Sequence, residues 1–578
     1  MNLNDNMIIK SINKTAYEEL SSDETLFALG NGKLGSRAHF AEGYGIFDYP
    51  QTLINGFYNT HRLKYEENYK QFPQIGQTIV NVMDASYIKV ELGDETIDLA
   101  HQTLIHLERS LNLGNGMYER HATYLTKNGW HIDIHERKLI HPKDLHIVTQ
   151  LKISSIDYEG PIKLSSYLRM PLDKQANPLD PRLPVYYQNL EHQDSGYSNR
   201  FAYMTAKTTQ THAWVGVGMR HEEDVVYHVD QTEVIGTLDA TIQPQKTITL
   251  TKHAYYDLED LDQLTYTLEN DALTFQKINE LNTQHYLDFW KDSWIECTPK
   301  DIELAYRFQM FQLAQSGGAD DKTSVAAKGL SGEGYDGHFF WDAEMYVLPY
   351  YALTKPNKAK NILMFRYHTL DQARAEARKL GIQKGAKIPW RTINGDEASS
   401  YFPAGSSQVH INSDVAYAIY MYMMATRDTA FLTSYGLEIL IETTMFLLEY
   451  GHFNQDRFHL FGVTGPDEYT AIVNDNYYTN KMAKFHFNWV YELISKHQDY
   501  MAIYETLGYD QESLETLRLA SEQMALNIND ALYVIEQDDA FLKRKQMDLK
   551  ALPKEDFPLL LNYHPQYIYK HQVLKQAD

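Results

Sequence analysis

Residues 121–140 read HATYLTKNGWHIDIHERKLI. Apolar and polar side chains alternate on both sides of Asn128-Gly129, which is the period of a half-buried strand broken by the chemistry of a tight hairpin turn. The same pattern recurs at short spacing over residues 146–153, 161–169, 213–221 and 247–256. That many strands need a second sheet to cover one face of each. A large antiparallel β-sandwich over residues 1–257 is therefore expected.

Beyond Tyr256 the period changes. Residues 258–289 and 302–315 carry apolar side chains three and four apart, as helices do. Further helical stretches are predicted over 342–352, 358–380, 413–425, 430–450, 479–497, 512–533 and 565–577. Asn412 or Ser413, and Thr433 or Ser434, are the expected helix caps. Long Gly-rich polar loops at 316–340, 381–410 and 453–478 separate the helices. Loops of that length are uncommon unless they carry function. Paired helices with long loops on one side suggest an α/α barrel with its site at the loop end. The expected division is a helical linker over 258–300 and a barrel domain over 301–578.

The chain of 578 residues is 43% hydrophobic and 22% charged, with a net charge of −24. It can bury large cores, and so acidic a surface disfavours nucleic acid and anionic membranes as partners. A single cysteine, Cys297, excludes internal disulfides and Cys-rich metal sites. The N-terminus, MNLNDNMIIKSINKT, lacks the apolar run of a signal peptide, and a cytoplasmic location is expected. The 24 histidines are scattered without ligand spacing, so no metal is expected. The 43 tyrosines are numerous. Flat rings with polar edges suit sugar recognition, although most such residues simply fill cores.

Four motifs carry candidate chemistry. Residues 463–469 read VTGPDEY and 474–480 read NDNYYTN. Gly-Pro forces a turn from which Asp467 and Glu468 project. Burial raises the pKa of a carboxyl and suits it to general acid work. The same two side chains also read as solvated loop charges or as a helix N-cap. Residues 338–345, HFFWDAEM, put Trp341 beside Asp342 at a helix start, where the macrodipole alone favours an anion. Residues 389–397, PWRTINGDE, run on into YFPAG at 401–405 and HIN at 410–412. They mix aromatic, cationic and amide groups as a polyol site needs, and read equally as an irregular, well-capped loop. The last motif is VLKQAD at 573–578.

FWDAE, PWRT, YFPAG with HIN, VTGPDEY, NDNYYTN and VLKQAD occur in the order of glycoside hydrolase family 65, which this sequence resembles over essentially its whole length. FALGNG at 27–32 fits the family's N-terminal domain. The resemblance implies a β-sandwich, a helical linker, an (α/α)6 barrel and a small C-terminal β-domain. It implies reversible, inverting phosphorolysis of an α-glucosidic bond, with Glu468 as general acid. Trp341, Asp342, Trp390, Lys575 and Gln576 would hold the glucosyl unit, with Arg391 beside them. The loop at 394–402, with Asn394 and Glu397, would contact the acceptor glucose, and its sequence looks like the maltose type. No cofactor is implied beyond inorganic phosphate as co-substrate, and the partners are a small disaccharide, phosphate and a second copy in a homodimer. An inverting hydrolase needs two carboxyls roughly 6.5–9.5 Å apart, one of them to activate water. A phosphorylase needs only the acid, because phosphate is already an anionic nucleophile.

Two further expectations follow. About eight helical stretches are read after residue 301, against the twelve of a closed six-pair barrel, and the chain stops directly after Lys575-Gln576. The barrel is therefore expected to be C-terminally truncated and its activity impaired. The alternatives are a phosphorylase or hydrolase for trehalose, kojibiose or nigerose, or a non-catalytic carbohydrate-binding remnant.

Overall fold

The computed structural model describes residues 7–45, 49–172 and 188–572, which form two compact units. The first comprises Met1–His61 and Gln77–His338, the second Arg62–Gly76 and Phe339–Asp578. Their boundary in the later part of the chain lies at His338/Phe339.

In the first unit, the strands Met117–Leu125 and His131–Ile140 pair antiparallel around the Asn-Gly turn, with Gly129 at φ 88°. They lie in a nine-stranded antiparallel sheet. In spatial order it runs Ile8–Ile12, Thr103–Asn112, Met117–Leu125, His131–Ile140, His146–Ser155, Thr247–Asp257, Trp214–His221, Ala202–Thr208 and Leu190–Tyr197. A five-stranded sheet runs Val226–Asp230, Glu233–Ile242, Gly160–Leu168, Ile88–Leu92 and Glu95–Thr96. Ile132, Ile134, Leu151 and Leu250 from the first sheet share one core with Val90, Ile162, Leu164 and Ile242 from the second, so this is a β-sandwich.

The expected helix over 258–289 is two helices, Leu261–Asn270 and Phe275–Trp290, capped by Asp260 and Thr274. Asp271 and Thr274 break the run because their side chains bond nearby backbone N–H groups, of Leu273 and Lys277. Leu264 and Leu268 pack on Phe201 and Tyr255, while Phe275 and Ile278 pack on Leu139 and Val148. The helix Lys300–Ser316 also belongs to this unit.

The second unit is helical. Ile411–Thr426 packs against Leu348–Thr354, Pro356–His368, Leu437–Tyr450 and Tyr477–Lys496. Thr429–Tyr450 is, among the described residues, the one run long and apolar enough to cross a membrane, and 72% of it is buried inside the protein as a core helix. Asn412 and Ser413 lie buried inside the first turn that follows His410, not at a cap. The helix expected at 430 is capped by Asp428, which accepts from Phe431 N, and passes through a π-turn at Leu432–Gly436. The predicted helix 512–533 ends at Glu522. Its remainder forms a hairpin of Ile528–Asn529 and Val534–Ile535, because Asn529 accepts from Leu532 N and turns the chain.

Candidate active site

Residues 403–412 are the hub on which the predicted site residues of the second unit meet. Pro403 opens a one-turn helix, Pro403–Ser406. A Cβ at Gly405 would lie inside the indole of Trp390, so only glycine lets that ring rest on the turn. The edge of Trp390 meets Phe340 with ring centroids 5.8 Å apart. Gln408 is buried, and its Nε2 donates to Ala404 O and to Glu468 Oε1, each at 2.9 Å. Two residues on, the fully buried His410 stands edge-on to Trp341, with centroids 5.0 Å apart. His410 Nδ1 lies 2.6 Å from Asp414 Oδ2, and Tyr478 Oη donates to Asp414 Oδ1 at 2.9 Å. An ionised carboxylate only accepts, so the proton is assigned to Nδ1. Glu468, Trp390 and Trp341 thus converge on Gln408, Gly405 and His410.

The Gly-Pro-Asp-Glu loop is closed at its base. Val463 and Val473 exchange backbone hydrogen bonds of 2.9 and 2.8 Å. Thr464 N donates to Ser407 O and Thr464 Oγ1 to Pro403 O, both at 2.9 Å, which stitches the loop to the hub. A Cβ at Gly465 would strike the side chain of Asn476, the N-cap of Tyr477–Lys496. The NDNYYTN motif is therefore scaffold. Asn474 accepts from Gly462 N, Asp475 accepts from Leu460 N, and Asn476 accepts from Thr479 N.

That scaffold gives the two carboxyls of the loop different tasks. Asp467 is buried, with Oδ1 accepting from Tyr469 N at 3.1 Å and Oδ2 from Gln537 Nε2 at 2.8 Å. Glu468 is half-buried. Burial raises the pKa of Tyr469 and of Tyr569, and the nearby Glu468 carboxyl pushes both further up. Tyr569, at the end of the short helix Pro565–Tyr569, is thereby placed beside the Glu468 loop.

The third motif is joined to the second by a two-way bridge: Phe339 N to Thr392 O at 2.7 Å and Thr392 N to Phe339 O at 3.3 Å. Glu397 is buried, and its oxygens accept from Trp390 N at 2.7 Å, Arg391 N at 3.3 Å and Ser399 N at 3.4 Å. Burial holds its pKa above the ordinary carboxylate value. In the structure Glu397 staples the loop through these backbone amides. Arg391 and Asn394 are half-buried on the same loop, where Asn394 Oδ1 accepts from Asp396 N at 2.9 Å. Asp342 is exposed beside Trp341. Behind it, Glu344 is fully buried and paired with Arg366 at 2.7 Å. Lys575 and Gln576 lie outside the described residues.

Gln408, Gln537 and the His410–Asp414–Tyr478 chain were not singled out from the sequence as site residues. A glutamine in a polar loop has no periodic signal, whereas the four-residue spacing of His410 and Asp414 on a helix was readable as a pair. Among the described residues no three His, Cys, Asp or Glu side chains gather as a metal site.

A sandwich unit and a helical unit, the latter with two tryptophans and a loop carboxyl gathered on one hub, are the arrangement expected of a glycoside-processing protein, and the family matches agree. Residues 12–291 match the glycosyl hydrolase family 65 N-terminal domain, and residues 307–578 match the glycosyl hydrolase family 65 central catalytic domain. The chain belongs to glycosyl hydrolase family 65. It is 36% identical to the alpha,alpha-trehalose phosphorylase of Geobacillus stearothermophilus, over 98% of this chain and 77% of that protein. It is 26% identical to the maltose phosphorylase of Bacillus subtilis, over 96% of this chain and 74% of that protein. A solved chain from human microbiome, described as a candidate kojibiose phosphorylase, superposes with a TM-score of 0.90 at 29% identity, covering 99% of this chain and 77% of that one. The expectation of a truncated barrel gains no support from these matches.

Proposed function

We propose that this protein is an inverting disaccharide phosphorylase acting on an α-glucoside of glucose, with α,α-trehalose as its substrate. The observation that carries the reading is the convergence of Glu468, Trp341 and Trp390 on residues 405–410. Glu468 protonates the bridging oxygen as the glycosidic bond breaks. Phosphate attacks the anomeric carbon from the opposite face, with no second carboxyl needed to activate it, and β-glucose 1-phosphate and glucose leave. Trp341 and Trp390 pack on the glucosyl ring, Asp342 and Arg391 bind its hydroxyls, and the helices of the second unit belong to an (α/α)6 barrel.

The choice of trehalose replaces the maltose reading of loop 394–402, because identity is 36% to the trehalose enzyme and 26% to the maltose enzyme. The structural likeness makes kojibiose the second substrate to try. Purified chain is incubated with trehalose, kojibiose or maltose, with and without inorganic phosphate, and released glucose and glucose 1-phosphate are measured. Phosphate-dependent release, fastest from trehalose, is expected. Equal release without phosphate would mean a hydrolase, and binding without turnover would mean a sugar-binding protein.

A further inference from the structure

Residues 62–76 lie early in the sequence, directly after the strand Thr52–Arg62, yet the segment Arg62–Gly76 is part of the second compact unit. There it meets the loop that follows Glu397. Phe72 stacks on Tyr401 with centroids 4.6 Å apart and ring planes within 13°. Tyr65 Oη donates to Pro73 O at 2.7 Å and accepts from Tyr401 N at 3.1 Å, so one hydroxyl ties the two loops together. Tyr65 and Tyr69 both pack against Phe72, at 5.3 and 5.0 Å. Asn68 and Gln74 exchange side-chain amide hydrogen bonds of 3.1 and 2.9 Å across the base of the segment.

The cluster is braced, yet it leaves aromatic faces in solvent: Tyr69 is 59% exposed, Tyr401 43% and Phe402 37%. Phe402 is the residue before Pro403, which begins the hub carrying Gln408 and Glu468. On its other side Tyr401 lies close enough to Tyr450 to push that phenol's pKa up further than burial alone. Tyr450 Oη donates to Phe461 O and Gly462 O, each at 3.1 Å, at the root of the Glu468 loop. The exposed rings are therefore joined by backbone to the segment that carries Gln408, and they lie near Tyr450, which bonds the root of the Glu468 loop.

Resting on the phosphorylase reading, we propose that Tyr65, Tyr69 and Phe72 form an aromatic clamp that fixes Tyr401 and, with it, builds the binding wall for the acceptor sugar. A pyranose offers C–H faces that pack on such rings, while ring hydroxyls fix its orientation. The clamp acts on the sugar that leaves in phosphorolysis and enters in synthesis. It does not touch the glucosyl unit held by Trp341 and Trp390.

The test runs the reaction in synthesis, from β-glucose 1-phosphate and glucose, with Phe72→Ala, Tyr69→Ala and Tyr65→Phe in the full chain. The KM for glucose is expected to rise about tenfold in Phe72→Ala and Tyr69→Ala, and less in Tyr65→Phe, with the KM for β-glucose 1-phosphate unchanged. Equal changes in both KM values, or none in either, overturn the clamp. A second readout needs no turnover. Adding glucose to the wild-type chain should slow amide hydrogen exchange in peptides spanning 65–74 and 399–403 together. Failure of either segment to respond overturns the proposal. A wild-type chain that shows this protection but no phosphate-dependent turnover refutes the phosphorylase reading and keeps the clamp as a sugar site.

Discussion

Gln408 Nε2 donates to Glu468 Oε1 over 2.9 Å from a side chain that is itself buried and anchored to Ala404 O. A general acid is effective only when its proton points at the leaving oxygen, and misplacement by about 1 Å can cost 10²-fold. Gln408→Leu is expected to lower kcat by about 10- to 100-fold with little change in KM. Glu468→Gln, which removes the proton itself, should lower it by roughly 10²–10⁴-fold. Steady-state phosphorolysis at saturating phosphate checks both. A Gln408→Leu enzyme with unaltered kcat would show that the hydrogen bond does not aim the acid.

Gly465 is packed against Asn476, which caps the helix Tyr477–Lys496. Gly465→Ala forces either the loop or the cap to move. Overpacking of this kind costs about 1–3 kcal/mol. The expected result is a lower urea midpoint together with a fall in kcat, because the displaced segment carries Glu468. A companion variant, Gly508→Ala, adds a Cβ with nothing within 4 Å of it, but at φ 86°. It should lose stability through backbone strain and leave kcat alone, which separates general destabilisation from displacement of the acid.

The parts of the structure that were readable are those with a period or a punctuating turn. Asn128-Gly129 placed the turn between Met117–Leu125 and His131–Ile140 within a residue, although the first strand begins well before the His121 at which the alternation was read. Yet Glu136 and Lys138 point into the sandwich, where Arg120 bonds Glu136 at 2.9 Å and pairs with Glu42. A polar residue at an inward position is paired by something far away in sequence, and alternation cannot name that partner. Helix ends were less legible for a similar reason. Asp428 was passed over as a cap because Thr433 and Ser434 offered the same chemistry nearby. The motifs picked out Glu468 and the two tryptophans that meet on residues 405–410, but not the backbone amides that Glu397 binds, because a carboxylate facing amides and one facing a sugar read alike in sequence. The grouping of residues 62–76 with the helical unit rests on chain topology, which local sequence does not encode.

Glu397 staples its loop through three backbone amides, and its removal would leave buried N–H donors without partners. Each such loss costs about 1–3 kcal/mol. Glu397→Ala is therefore expected to lower stability by at least that amount. Glu397→Gln keeps a carbonyl acceptor and should recover part of it. Denaturation midpoints order the three proteins as wild type, Gln, then Ala. An Ala variant as stable as wild type would show that these hydrogen bonds do not hold the loop.

His486 sits fully buried on Tyr477–Lys496, 2.8 Å from Thr444 Oγ1, and burial drives its pKa down to about 3. The unfolded chain takes up a proton near pH 6.5, and the folded chain does not until about pH 3. The unfolded state then binds more protons within that window, so stability falls as pH falls, by about 1.4 kcal/mol per unit. Above pH 6.5 this contribution is flat. His486→Gln should lessen the slope between pH 6 and 4 in urea titrations of stability. An unchanged slope would mean that the ring is protonated in the fold.

Lys252 presents the same linkage, with the same sign, at higher pH in the sandwich. Its side chain is 1% exposed, and Nζ donates to Tyr167 O at 2.6 Å. Burial lowers its pKa to about 7; Asp84 works against the shift, while Arg169 and Lys138 add to it. Between about pH 7 and the unfolded value near 10.4, the unfolded chain holds a proton that the folded chain has released, so stability rises with pH across that window. At pH 6 both states are charged and the full cost of burying the ammonium is present. Lys252→Met should therefore stabilise the protein by about 2–4 kcal/mol at pH 6, after the lost bond to Tyr167 O is allowed for. That gain should shrink steadily as pH approaches 10. Urea titrations of both proteins at pH 6, 8 and 9.5 read the difference directly. A gain that stays constant with pH would show that Lys252 is charged in the fold throughout, and that the carbonyl of Tyr167 and the carboxylate of Asp84 suffice to keep it so.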